Sequence, residues 1–339
     1  MSLEQYPTLS GERFDFFPSN PQKENSMKRF NNILVAVDTC LEYHPALEWA
    51  VRLAEHTHAK LKIVDVVRDF SWIARLAMSD CDRTQQVLAD DKRRNMEAIA
   101  GPLRDQGFDV TTKVLFGKTS FEIMHEVLRS GHDLVMRVTK GAHSQRTGFF
   151  GTTSMRLLRK CPCAVWLVRP DVPPRFARVL AAIEATPHDL GHDRMNKMIM
   201  ELGMSIADYE EGQLHVVHAW ELFGAGTIKS RLKPGEFEAI ERKAESEVAV
   251  ALDNVLSPYK LSHRTENVHL LRDEIGPGHA ISELAKQQEI DLVVMGTLAR
   301  TGVVGALMGN TAEQVIDRVE CSVLTIKPDG FNSPVTLEE

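Results

Sequence analysis

Nothing in this 339-residue chain approaches the roughly 18 consecutive apolar residues that a membrane helix needs, and its start lacks the charged-then-apolar pattern of a secretion signal. A cytoplasmic location is the expectation that follows. Basic excess is missing too. Forty Lys and Arg stand against 47 Asp and Glu, for a net charge of -7, which excludes nucleic-acid binding driven by overall charge. The five cysteines, Cys40, Cys81, Cys161, Cys163 and Cys321, have no even, regular spacing, so a secreted disulfide framework is excluded and reduced thiols are expected. Cys161 and Cys163 flank one proline, and an extended segment is expected to place their side chains on opposite faces, leaving Cys163 as a small buried strand residue like Cys321. There is also no Walker lysine motif, no nucleophile elbow and no carboxylate pair spaced for general acid and base work. Binding is therefore the better reading than turnover.

What the chain does have is a repeat. DLVMRVTKGAHSQRTGFFGTTSMRLLRKCPCAVWLVRP, Asp133 to Pro170, and DLVVMGTLARTGVVGALMGNTAEQVIDRVECSVLTIKP, Asp291 to Pro328, share one plan without a gap: buried strand, glycine-bearing loop, helix, strand. Hydrophobic content of 43% lets two domains of about 150 residues each bury a core. In the first half ILVAVD, LKIVDVV, FDVTTKVLFG, DLVMRV and AVWLV read as strands, alternating with amphipathic helical stretches such as PALEWAVRLAEHTHA and SFEIMHEVLRSG. The second half repeats the order with VLAAIE, LHVVHAW, NVHLL, DLVVMG and SVLTI. Continuous apolar strands with helical crossovers predict an α/β fold of two tandem doubly wound, Rossmann-like domains, each a five-stranded parallel sheet with helices on both faces.

The expected division is a disordered extension over 1–28, with Met27 a candidate start, a first domain over 29–170, a linker over 171–176, a second domain over 177–330 and a polar tail over 331–339. ELFGAGTIKSRLKPG, Glu221 to Gly235, is an insertion that reads either as a lid or as a cover of the sheet.

Ligands of open parallel sheets gather at the carboxyl ends of the strands. In the second half Gly296, Thr297, Ala299, Arg300, Gly309, Asn310 and Thr311 lie there. Gly296 and Gly309 permit close backbone approach, and the helix starting near Thr311 offers N–H groups to an anion. Thr311 and Gln314 have capping-box spacing. His215 and His218, three apart on a strand, point to opposite faces and do not share a metal. His56 and His58 are expected to be exposed, Trp72, Trp166 and Trp220 to be packing residues, and the run from Arg83 to Arg94 to be a solvated helix face.

The duplicated half and the loop resemble the universal stress protein family. GTLARTG followed by MGNTAEQVID, with GHDLV and LLRKCP in the first half, looks like its tandem E-type members. The resemblance implies an ATP site, with or without Mg²⁺, built from a loop of Gly, two residues, Gly, nine residues, Gly and Ser or Thr, and from the ends of the first two strands. Carried over, the second half supplies Ile183, Glu184, Val217, Gly296 and Gly309, but with Ala299, Asn310 and Glu184 replacing the middle glycine, the hydroxyl residue and the aspartate. The first half keeps Asp38, Gly141, Gly151 and Thr152, yet has Val138 for the leading glycine, set among the basic Lys140, His143, Arg146 and Arg156. A branched side chain where backbone meets the sugar is the worse departure, so the second half is favoured. The resemblance also implies pairing of domains through their last strands, here AVWLV with SVLTI in one chain, an intramolecular pseudo-dimer that removes two exposed edges. Three functions stand open: a stress-response protein that binds an adenine nucleotide and changes protein contacts with occupancy, a scaffold of the same fold that serves a protein partner or an apolar ligand, and a slow ATPase.

Overall fold

The structure is a computed structural model that describes residues 30–70, 80–139, 149–171, 175–186, 193–222, 224–225, 229–233, 235–297, 308–328 and 330–337. The expected disorder of the amino-terminal extension, Trp72, most of the first half's glycine loop including Gly141, the second half's Ala299 and Arg300, and part of the 221–235 insertion lie outside these residues.

The first half runs β1 (Asn32–Ala36), α1 (Pro45–Thr57), β2 (Lys60–Val67), α2 (Cys81–Asp105), β3 (Val110–Phe116), α3 (Thr119–Ser130), β4 (Leu134–Val138), α4 (Thr152–Lys160) and β5 (Ala164–Val168). The second repeats it as β6 (Arg178–Ala182), α5 (Asp193–Tyr209), β7 (Gln213–Trp220), α6 (Glu236–Leu256), β8 (Val268–Arg272), α7 (Pro277–Gln287), β9 (Leu292–Gly296), α8 (Asn310–Arg318) and β10 (Ser322–Ile326). Strands form where apolar residues run continuously and helices where they recur at a period near 3.6, because strands covered on both faces need apolar residues on both.

All ten strands join one sheet in the order β3-β2-β1-β4-β5-β10-β9-β6-β7-β8. Every pairing within a half is parallel. Within the sheet the two halves join at β5 and β10, antiparallel, with Val323 opposite Leu167, Leu324 opposite Trp166 and Thr325 opposite Val165. The expected edge pairing is therefore present, and both strands are buried along their whole length. One face of the sheet carries α1, α2, α5 and α6, the other α3, α4, α7 and α8, and each apolar layer runs through both halves. At the centre of the first layer Phe176 stacks on Trp49 and Trp166, so the segment that opens the second half is sealed into the first. Full burial of such a ring contributes about 2–3 kcal/mol each.

Side chains reinforce the junction. Thr325 Oγ1 donates to the Val165 carbonyl at 3.2 Å, Arg169 N–H donates to Ser322 Oγ at 3.2 Å, and Arg159 pairs with Glu313. The tail returns onto the first half: Ser333 Oγ donates to the Lys160 carbonyl at 2.7 Å and Val335 is buried. No helix among the described residues is long and apolar enough to cross a membrane.

Candidate functional site

The backbone frame at the carboxyl ends of the strands is the same in both halves. Val37 N–H donates to the Val64 carbonyl at 2.9 Å, as Ile183 N–H does to Val217 at 3.0 Å. Gly151 N–H donates to the Thr139 carbonyl at 2.9 Å, as Gly309 N–H does to Thr297 at 2.9 Å. These bonds close each loop back onto its strand and aim the following helix, α4 or α8, at the strand ends. The register places Ala182 beside both Val217 and Met295, so Ile183 and Gly296 stand at neighbouring strand ends. Sequence reasoning thus brought together residues that the fold does bring together.

Side chains make the two rims different. In the first half Asp65 lies near the carboxyl end of β2, almost fully buried. Its Oδ2 accepts from Thr39 N–H at 2.9 Å, from Thr39 Oγ1 at 2.6 Å and from Lys92 Nζ at 2.6 Å. The Asp38 carboxylate is turned into its own loop, where it accepts the Cys40 N–H at 3.2 Å. Arg137 on β4 is half-buried, and desolvation of its guanidinium pushes it down to about 10, against the nearby charges of Asp38 and Asp65. Its Nε donates to the Val138 carbonyl at 3.3 Å, while Nη1 has no protein partner. The rim is thus occupied by a fixed ionic cluster, and Val138 closes the entrance that a glycine would leave.

In the second half the equivalents of Asp65, Arg137 and Val138 are His218, Met295 and Gly296. His218 Nδ1 accepts the Ala185 N–H at 3.2 Å, and burial holds this ring below the usual histidine range. Asn196, from α5, is buried and grips the backbone of Glu184 twice: it accepts the Glu184 N–H at 3.0 Å and donates to its carbonyl at 2.7 Å. The Glu184 side chain itself is left outward. Asn196 was not anticipated; its signal was a lone amide within the apolar face of MNKMIMELGM. A Cβ added at Gly296 would come 3.4 Å from the Met195 side chain, so this flexible thioether forms one wall beside the strand end.

The predicted capping box is absent. Gly309 is the N-cap of α8, extended at φ -64°, and no side chain caps the helix. Gln314 instead lies against Gly278 at the start of α7, where an added Cβ would sit 2.5 Å from the Gln314 Cβ. Packing between two helices claimed the residue that local spacing had assigned to the cap, and among the described residues no side chain caps the first N–H groups of α8. Gly151 likewise caps α4 without a side-chain bond, with Thr152 exposed beside it.

Other candidates fall where the chain predicted or differ for a clear reason. His215 and His218 do point to opposite faces, and both are buried; His215 Nδ1 lies 3.2 Å from His269 Nε2 on the next strand. His56 and His58 are exposed, and Trp166 and Trp220 are buried. Arg93 and Arg94 are on the solvated face as expected, but Lys92 turns inward to Asp65. Cys161 and Cys163 are not kept apart: their Sγ atoms lie 3.7 Å from each other. Residues two apart on extended backbone project to the same side, which is why the expected separation fails. Among the described residues no group of three or more metal-ligating side chains converges.

Two doubly wound domains fused through their last strands define a tandem α/β protein of Rossmann-like fold. The universal stress protein family matches residues 29–169 and 187–327, and the chain belongs to that family. Its arrangement is that of the tandem E-type members. Universal stress protein E of Escherichia coli is 29% identical over 319 residues, covering 92% of this chain and 99% of that protein. Universal stress protein E of Photorhabdus laumondii is 25% identical over 314 residues, 91% of this chain and 98% of its own. Among solved structures, a putative universal stress protein from Pseudomonas aeruginosa superposes with a TM-score of 0.65 at 25% identity, over 90% of this chain and 96% of that one.

Proposed function

We propose that the chain is a cytoplasmic stress-response protein that binds an adenine nucleotide, ATP with or without Mg²⁺, mainly in its second half, and that occupancy changes its contacts with protein partners. The observation that carries this is the contrast at the strand ends. The second half leaves Gly296 at a strand end neighbouring Ile183 and Val217, with Gly309 at the start of α8 bonded back to Thr297, whereas the first half sets Val138, Arg137 and the Asp65–Lys92 pair at the matching strand ends. Helix N–H groups without a side-chain acceptor favour a phosphate, and the Ile183–Ala185 backbone, held by Asn196 and His218, is preset to meet a sugar or base. In this reading Glu184 reaches the sugar, Gly296, Thr297, Ala299 and Arg300 border it, and Gly309, Asn310 and Thr311 take the phosphates. Asp38, Gly141, Gly151 and Thr152 form the weaker counterpart.

No described side chain is set to activate a water, so release of phosphate is expected to be slow or absent. Equilibrium binding of labelled ATP tests the reading. Saturable binding at millimolar ATP is expected for the wild type. Gly309→Val should weaken it about tenfold or more, a loss of about 1.4 kcal/mol, while Gly151→Val leaves it unchanged. Because Gly309 has a φ open to any residue, the substitution acts through the approach of the ligand rather than through backbone strain. Absence of saturable binding in the wild type sinks the proposal and favours the scaffold reading.

A further inference from the structure

The two halves carry equivalent cysteines, Cys163 and Cys321, at the start of their last strands, but only the first half adds a second thiol, Cys161, where the other has Val319. Cys161 is the buried C-cap of α4, with its N–H on the Leu157 carbonyl, and Cys163 is half-buried one proline later. Their sulfurs stand 3.7 Å apart, and Cys163 Sγ also reaches the Ala164 carbonyl at 3.4 Å. Extending the antiparallel register of β5 and β10 by two residues sets Lys327 opposite Cys163. The Lys327 ammonium is itself buried. It donates to the Leu158 carbonyl and, at 2.8 Å, to Thr297 Oγ1, and it faces the ring of Phe331 at 4.9 Å.

A buried cation needs an anion, and the thiols supply one. Burial pushes Lys327 down to about 8, and the charges of Cys161 and Cys163 oppose that fall. Burial also works against a charged Cys161, yet contact with Cys163 and the Lys327 charge hold its thiol below the usual range. Cys163, hydrogen-bonded to Cys161, is raised well above it. Contact between the two sulfurs thus favours loss of the first proton from Cys161 and opposes loss of the second from Cys163. The lone Cys321 differs: burial pushes its thiol up to about 12, although Arg169 lies nearby.

We propose that Cys161 and Cys163 are a peroxide-reactive dithiol that closes to an internal disulfide. The half-buried Cys163 sulfur, the more exposed of the two, passes its proton to the Cys161 sulfur 3.7 Å away and attacks one oxygen of hydrogen peroxide. The O–O bond breaks, hydroxide leaves and takes up a proton as water, and Cys163 becomes a sulfenic acid. The Cys161 sulfur then attacks the Cys163 sulfur, the S–O bond breaks, and the hydroxyl group leaves as a second water with the remaining thiol proton. Two thiols and one peroxide give one disulfide and two waters. Closure needs an approach of roughly 1.7 Å from the present separation to the length of an S–S bond. Oxidation also removes the negative charge beside Lys327, which donates to Thr297 at the foot of the second half's loop; that consequence for ligand affinity rests on the nucleotide reading, whereas the disulfide does not.

The test uses the full-length reduced protein, exposed to hydrogen peroxide, denatured, alkylated and mapped by mass spectrometry. The peptide that begins at Cys161 should be lighter by two hydrogens and carry no alkyl group, with Cys321 still fully alkylated. Cys161→Ser should halt the reaction at an oxyacid on Cys163, trapped by a sulfenic-acid reagent. Lys327→Met should slow wild-type closure about tenfold by withdrawing the cation that favours the thiolate. The proposal is overturned if both thiols remain alkylatable under an exposure that oxidises the exposed Cys40, if Cys163 proceeds to sulfinic acid without closing, or if either sulfur is found joined to another cysteine. An unchanged rate in Lys327→Met overturns the role of the lysine.

Discussion

The two halves share one backbone frame but differ in how they use charge. The first holds carboxylates inside: Asp65 with Lys92 at the rim, and Glu126 with Lys62, Lys113 and Ser130 under α3. The equivalents of Asp65 and Glu126 in the second half are His218 and Leu284, and the equivalent of Lys62 is His215. One copy thus sets a buried Asp65–Lys92 pair and Arg137 among its strand ends, while the other has His218, Met295 and Gly296 at the matching positions. A duplicated domain can therefore divide its labour without changing fold, because the sheet and crossovers are set by apolar pattern while the rim is set by a handful of side chains.

The comparison is broken most strongly at Lys92. Lys92→Met leaves the Asp65 carboxylate buried with Thr39 and the Val66 N–H as its neutral donors, and the first half should lose about 3 kcal/mol, read as faster amide exchange in β1 and β2 with little change in β6 and β7. An equal loss in both halves would mean that the fused sheet unfolds as one unit. Gly278→Ser comes next. The first half already has Ser120 at the matching position, but in the second an added Cβ meets Gln314 at 2.5 Å, so urea denaturation should report a loss of about 1–3 kcal/mol.

Acid sharpens the contrast on a smaller scale. Burial alone would raise the Glu126 carboxyl, but hydrogen bonds from Lys113, Lys62 and Ser130 outweigh it and hold the group at about 2, against an ordinary 4.5. A carboxyl depressed in the folded state binds fewer protons than in the unfolded chain. Its contribution is full above pH about 4.5 and fades as the pH falls toward about 2. Allowing for solvent at the half-exposed Lys113, that contribution is about 2 kcal/mol or less. Glu126→Gln should flatten the acid dependence of amide exchange in β2 and β3 and leave that of β7 and β8 unaltered. If the wild-type halves respond alike over this window, Glu126 is not the source.

Much of this was legible along the chain, and the misses share a cause. Runs such as LKIVDVV and AVWLV, and the repeat from Asp133 and Asp291, give strand, helix and duplication because burial on both faces demands a local apolar pattern. The pairing of AVWLV with SVLTI was legible through the family resemblance, and it removes two exposed edges at once. The misread residues were those whose partners come from other elements. Asp65 and Glu126 are charges within apolar runs, and nothing local to Lys92 or Lys113 marks these lysines as turning inward. Gln314 had the spacing of a cap and the neighbourhood of Gly278.

The order of strands and helices, the doubling of the domain and the glycines at the strand ends were determined by the sequence alone, since hydrophobic periodicity and backbone freedom act over a few residues. Which rim is plugged by ions, which histidine steadies a turn and which two sulfurs come within 3.7 Å were decided only by tertiary structure. Those outcomes depend on distances between groups far apart in the chain, and burial sets the strength of each interaction only after the sheet and its covering helices have excluded water.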